Sequence, residues 1–136
     1  MYSFRKSKKG FTLIELMVVV AIIGVVALLG LRMYTGQQDK AKNAIVKANV
    51  GTIQTLIQAE LADKTVATVA VETYLDGLIV ASGIRNPFTG EAQTTNDAAG
   101  TTAGAVYVTE AVGVFSINGN GADKSPVYPT SLTAQK

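Results

Sequence analysis

The chain has 136 residues, with 12 lysines and arginines against 10 aspartates and glutamates, 48% hydrophobic side chains, and neither cysteine nor histidine. That composition excludes disulfides, thiolate chemistry, Cys/His zinc sites and Ser-His-Asp triads, and it leaves room for one domain once any targeting segment is set aside. Four of the twelve basic residues, Arg5, Lys6, Lys8 and Lys9, lie in the first ten positions, so the remainder holds 8 basic against 10 acidic residues, a balance of −2 that offers nucleic acid no basic surface beyond the N-terminus. Carboxylates remain for acid–base work, but no pair stands in a cleft-forming context. The expectation is a protein that is not an enzyme and needs neither cofactor nor metal.

From Phe11 to Leu31 the only polar side chains are Thr12 and Glu15. As a helix this stretch spans about 30 Å, close to the hydrocarbon thickness of a bilayer. The basic residues ahead of it predict a cytoplasmic N-terminus, and Arg32 marks the exit from the membrane. A cleavable secretory signal fits poorly, because the apolar pattern runs on without a small-x-small cleavage site. Glu15 is the anomaly. An ionisable group costs about 2.5–3.5 kcal/mol at mid-bilayer and less near the interface. Either Glu15 reaches interfacial water, or it has a positive partner that arrives only in an assembly.

Gly10-Phe11-Thr12-Leu13-Ile14-Glu15-Leu16, behind a short basic leader and continued through Met17–Gly24 to Tyr34, resembles the class III signal of type IV prepilins. The resemblance implies an α+β pilin fold, in which a long N-terminal helix, forming the membrane and filament core, packs on a small antiparallel sheet. It implies that a prepilin peptidase removes residues 1–10 by cutting between Gly10 and Phe11 and that Phe11 is then N-methylated. It further implies that Glu15 pairs with the N-terminal amine of a neighbouring subunit. The partners implied are other copies of the chain in a helical filament, the peptidase/methyltransferase, the pilus assembly platform with its ATPase, and the cytoplasmic membrane before assembly. Where many family members carry proline this chain has Arg32. Gly24 and Gly30 bracket the stretch that can lose helicity in filaments, each costing about 1 kcal/mol relative to alanine in a helix; close helix packing in the membrane is the other use for them.

Beyond Arg32 the pattern becomes amphipathic. Val46, Val50, Ile53, Ile57 and Leu61 recur at spacings of four, three, four and four, a helical stripe, with Gln54 and Gln58 among the polar surface residues. No proline interrupts Phe11–Lys64, which reads as one helix, its 11–32 half apolar. The segment 65–104 reads as a connecting loop containing a short helix. In it, Thr65–Val71 is a loop or short strand, Glu72–Ser82 a helix closed by Gly83, Asn86–Gly90 a turn and Glu91–Gly104 an exposed loop. The sheet is expected in 105–136. Ala105–Thr109 and Gly113–Asn118 read as a hairpin, packing Val106, Val108, Val114 and Ser116 inward or in the opposite register. Asn118–Asp123 is a Gly-rich turn whose oxygens form a weak candidate for calcium, and Val127–Pro129 is an edge strand ended by Pro129. Without cysteine, hydrogen bonds, packing and neighbouring subunits must hold the C-terminal region down.

The sequence therefore points to the structural subunit, and by preference the major pilin, of a type IV pilus. Such a chain is anchored in the cytoplasmic membrane as a precursor and carried on the cell surface as a filament for adhesion, motility or DNA uptake. A pseudopilin of a type II secretion or competence apparatus shares the same signal. An uncleaved, single-pass membrane-anchored surface domain is the alternative from another class.

Overall fold

The computed structural model describes residues 10–136. The expected leader lies outside the described residues apart from Gly10. The chain divides into two compact units, one ending at Gln37 and one spanning Gln38–Lys136. Helix α1, Leu13–Asp63, contributes to both. It begins two residues later than the sequence suggests, because Thr12 stands outside it as a cap.

In the first unit, every large apolar side chain from Phe11 to Tyr34 is exposed, and α1 runs unbroken through Gly24 and Gly30. A helix apolar on all sides has no face to turn inward and needs lipid or other helices around it.

In the second unit, the stripe of Val46, Val50, Ile53, Ile57 and Leu61 is wholly buried. It packs with Val69, Leu75, Ile79 and Ile84 from the connecting segment and with Val106, Val108, Phe115, Ile117 and Ala134 from the sheet. Each such branched aliphatic side chain contributes about 1.5–3 kcal/mol when removed from water. Thr65–Val71 holds a one-turn helix, α2 (Val66–Val69), rather than a strand. Thr65 caps it, its hydroxyl accepting from Thr68 N, so a local hydrogen bond outweighs the β-branched composition. Helix α3 (Glu72–Ser82) ends at Gly83, whose φ of 67° supplies the left-handed stop. At Asn86–Gly90 the side-chain Oδ1 of Asn86 accepts from Phe88 N at 2.8 Å, and Gly90 N donates to the Asn86 carbonyl at 2.8 Å.

Strands β1 (Val106–Ala111), β2 (Val114–Gly119) and β3 (Leu132–Gln135) form an antiparallel sheet in the order β1-β2-β3. A helix packed on a small three-stranded antiparallel sheet is an α+β, pilin-like fold. Val108 lies opposite Ile117 and Glu110 opposite Phe115. The inward face is therefore Val106, Val108, Phe115 and Ile117, and not the combination with Val114 and Ser116. The reason is the two-residue turn at Val112 and Gly113: it makes every pair sum to the same number, so even positions on β1 face odd positions on β2. Both turn residues have positive φ, 53° and 81°, a backbone that costs a β-branched residue about 1–2 kcal/mol. The third strand is β3, not Val127–Pro129; Val127 N donates to the Gly119 carbonyl at 2.8 Å, but the neighbouring contact is only an isolated bridge between Asn120 and Pro126. Pro129 has no N–H to continue a ladder.

Gly119 makes the helix–sheet approach possible: a Cβ there would lie 2.4 Å from Val46 Cγ1 and 3.0 Å from Val50 Cγ2. The C-terminal region is held by side-chain amides. Buried Asn118 donates through Nδ2 to the Tyr128 carbonyl at 3.0 Å and accepts from Tyr128 N at 3.2 Å, while Lys136 Nζ donates to the Lys64 carbonyl at 3.0 Å. Lysines of α1 lie over aromatic rings of this unit, Lys42 over Phe88 at 5.2 Å and Lys47 over Tyr128 at 5.5 Å, where a cation is attracted to the ring face.

Candidate functional site

The residues that carry the sequence signal lie at the start of α1. Gly10, Phe11 and Thr12 are outside any regular element and exposed. Thr12 and Glu15 are joined reciprocally: Glu15 N donates to Thr12 Oγ1 at 3.3 Å, and Thr12 N donates to Glu15 Oε2 at 3.3 Å. This is a capping box, in which two of the unpaired N–H groups at a helix start are satisfied by side chains. The acidic residue also sits in the first turn of α1, where the helix dipole favours negative charge. Glu15 thus has a role inside its own chain, and its second oxygen, Oε1, makes no hydrogen bond among the described residues.

Thr12 was not among the residues singled out by sequence, yet its signal was present: a threonine three residues before a glutamate, ahead of an apolar run, is the capping-box pattern. The structure brings Thr12 and Glu15 together beside Phe11. Gly24 and Gly30 lie further along α1 with open space at both Cβ positions, and they take no part in the site. Helix α1 is long and apolar enough to cross a membrane.

The weaker candidate, Asn118–Asp123, is already engaged. Asn118 and Asn120 are buried, and Asn120 Nδ2 donates to the Thr102 carbonyl at 3.0 Å. Asp123 Oδ1 accepts from Ser125 Oγ at 2.5 Å and from Ser125 N at 3.1 Å, and the Ser125 hydroxyl holds that carboxyl below the usual range. Among the described residues no group of three or more His, Cys, Asp or Glu could hold a metal ion. Another polar cluster joins α1 to α3: Glu60 accepts from Lys64 and from the Tyr74 hydroxyl. Those bonds lower the Glu60 carboxyl, Lys64 first, and the bond with Glu60 raises the Lys64 ammonium.

Residues 5–31 match a family defined as the prokaryotic N-terminal methylation motif. The chain is 39% identical over 72 residues to "Fimbrial protein EcpB" of Eikenella corrodens, a match covering 53% of this chain and 44% of that protein. It is 41% identical over 56 residues to "Type IV major fimbrial protein FimA" of Dichelobacter nodosus, covering 41% of this chain and 36% of the relative. With "Type IV major pilin protein PilA" of Myxococcus xanthus (strain DK1622) it shares 36% over 61 residues, or 45% and 28% of the two chains. The chain thus spans less than half the length of each of these curated relatives. No solved structure matches it. In its N-terminal segment, the methylation motif and the exposed apolar helix that follows it, the chain is similar to relatives named as type IV pilus and fimbrial proteins.

Proposed function

We propose that the chain is the structural subunit, as major pilin, of a type IV pilus. The observation that carries this is the match to the methylation motif over residues 5–31, continued by an apolar helix exposed on all sides. A prepilin peptidase cuts between Gly10 and Phe11, and the accessible, non-helical backbone there supports that role, since a protease needs an extended peptide in its cleft. Phe11 is then N-methylated. The precursor is a single-pass protein of the cytoplasmic membrane with a cytoplasmic N-terminus; an assembly platform and ATPase move it into a helical surface filament. The chain is a substrate of this machinery and has no catalytic role.

Cleavage turns the Phe11 amide into an amine and so creates a positive charge one residue ahead of the helix cap. Glu15 keeps Oε2 on Thr12 N and has Oε1 for the amine of a neighbouring subunit. Two unit charges about 4 Å apart attract by about 4 kcal/mol at an effective dielectric of 20, and desolvation offsets much of this. The pair therefore contributes register between otherwise sliding apolar helices more than it contributes strength. Without proline at Arg32, softening of the filament helix between Gly24 and Gly30 rests on the two glycines.

The test is the intact mass of this polypeptide in sheared, pelleted surface filaments. The expected dominant species begins at Phe11 and carries one methyl group. A chain retaining residues 1–10 and confined to the membrane fraction would refute the proposal and leave a tethered surface domain. The processed mass in trace amounts beneath another dominant subunit would refute the major-pilin assignment.

A further inference from the structure

A three-stranded sheet has two edges, and an open edge presents unpaired N–H and C=O groups that can pair with a strand of another molecule. Here β1 and β3 are the edge strands. On the outer side of β1, Gln93 Nε2 donates to the Val106 carbonyl at 2.6 Å and Gln93 Oε1 accepts from Val106 N at 2.8 Å. Asn96 does the same one step along, Nδ2 donating to the Val108 carbonyl at 2.9 Å and Oδ1 accepting from Val108 N at 2.8 Å. Each primary amide offers one donor and one acceptor face in the geometry of a backbone amide, so the pair imitates two residues of a missing strand.

The other edge is met from α1, where side-chain amides take both outward carbonyls and one outward N–H. Gln54 Nε2 donates to the Thr133 carbonyl at 2.9 Å; Gln58 Nε2 donates to the Gln135 carbonyl at 3.0 Å, and its Oε1 accepts from Gln135 N at 3.4 Å. The spacing explains the match. Four residues of α-helix rise about 6 Å and two residues of strand about 6.6 Å, so amides at i and i+4 meet alternate residues of a strand lying beside them.

We infer that Gln54, Gln58, Gln93 and Asn96 are edge caps, which close both sides of the sheet against strand addition by a second copy of this chain. The inference stands on these hydrogen bonds and does not depend on the pilus reading. Where many copies are held side by side, uncapped edges would compete with the intended contacts, and capping them leaves association to helices and side-chain surfaces.

The test uses the full chain in detergent micelles. In the unmodified protein, amide hydrogen exchange at Val106 and Val108 is expected to be slower than at Glu110, which faces the same edge without a cap, by about fivefold or more, the factor for one hydrogen bond of typical net strength. The variant Gln93→Ala with Asn96→Ala loses that protection and forms strand-paired oligomers, read by size-exclusion chromatography and thioflavin fluorescence. Adding Thr109→Lys, a charge on the same edge strand, returns it to the unmodified protein's size. The core variant Ile57→Val, matched for thermal destabilisation, keeps that size throughout. Equal exchange at Val106, Val108 and Glu110 would overturn the inference even if the double variant failed to fold. An unchanged size in the double variant, persistent oligomers after Thr109→Lys, or equal oligomerisation by Ile57→Val would overturn it as well.

Discussion

Gly119 is where the sheet touches α1, and the contact makes a sharp quantitative test. Replacing it with alanine places a Cβ 2.4 Å from Val46 Cγ1 and 3.4 Å from the Ala105 carbonyl oxygen. These neighbours, with Val50 Cγ2 at 3.0 Å, are fixed, since Val46, Val50 and Ala105 are buried and Asn120 N donates to the Ala105 carbonyl at 2.9 Å. Gly119→Ala should therefore cost about 1–3 kcal/mol, the usual penalty for one carbon too many in a packed core. Val46→Ala removes the methyl groups in the way and alone should cost about 2 kcal/mol in lost burial and cavity. Together the changes exchange one volume for another, so the double variant should recover about 1–2 kcal/mol relative to the sum. Denaturant unfolding of the full chain in micelles, followed by the tyrosine signal of Tyr74, Tyr107 and Tyr128, would measure the cycle; about 1 kcal/mol corresponds to roughly 4–8 °C in Tm for a domain of this size. Additivity within about 0.5 kcal/mol would refute the reasoning, because it would mean that Gly119 and Val46 do not compete for one space.

Val112 is fully exposed at a φ of 53°, so Val112→Asn should stabilise the hairpin by about 1 kcal/mol, seen as a rise in Tm; a loss of stability would count against the turn. The Glu60 carboxyl, lowered by its hydrogen bonds with Lys64 and Tyr74, contributes stability present above its ordinary unfolded value and lost as pH falls through the lower folded value. The Tm of Glu60→Gln should accordingly fall less than that of the unmodified protein between about pH 6 and pH 3, and parallel curves would exclude Glu60 as a source of acid sensitivity. Thr12→Ala should cost the start of α1 about 1 kcal/mol yet still enter sheared filaments, whereas Glu15→Leu should be absent from them while its precursor persists in the membrane. Equal incorporation of both variants would reduce Glu15 to a helix cap.

The sequence by itself determined the apolar helix, the buried stripe and the anomalous carboxylate. Val46, Val50, Ile53, Ile57 and Leu61 were legible because a helix repeats every 3.6 residues and only one face can be dry. Glu15 stood out because charge in an apolar run is costly, and Gly83 because a left-handed stop favours glycine. The inward face of the hairpin was not legible, since both faces of β1 and β2 carry apolar residues and only the position of the Val112–Gly113 turn decides which residues of β1 share a face with which of β2. Nor were the edge caps. Gln54, Gln58, Gln93 and Asn96 are the kind of residue that water satisfies equally well. Whether an amide faces solvent or another strand depends on partners as far as 79 residues away in the chain, as with Gln54 and Thr133. Local pattern reports which side of an element is dry. Which polar groups meet across the fold is decided by tertiary packing, because a hydrogen bond needs two groups at one place and the sequence specifies only one of them at a time.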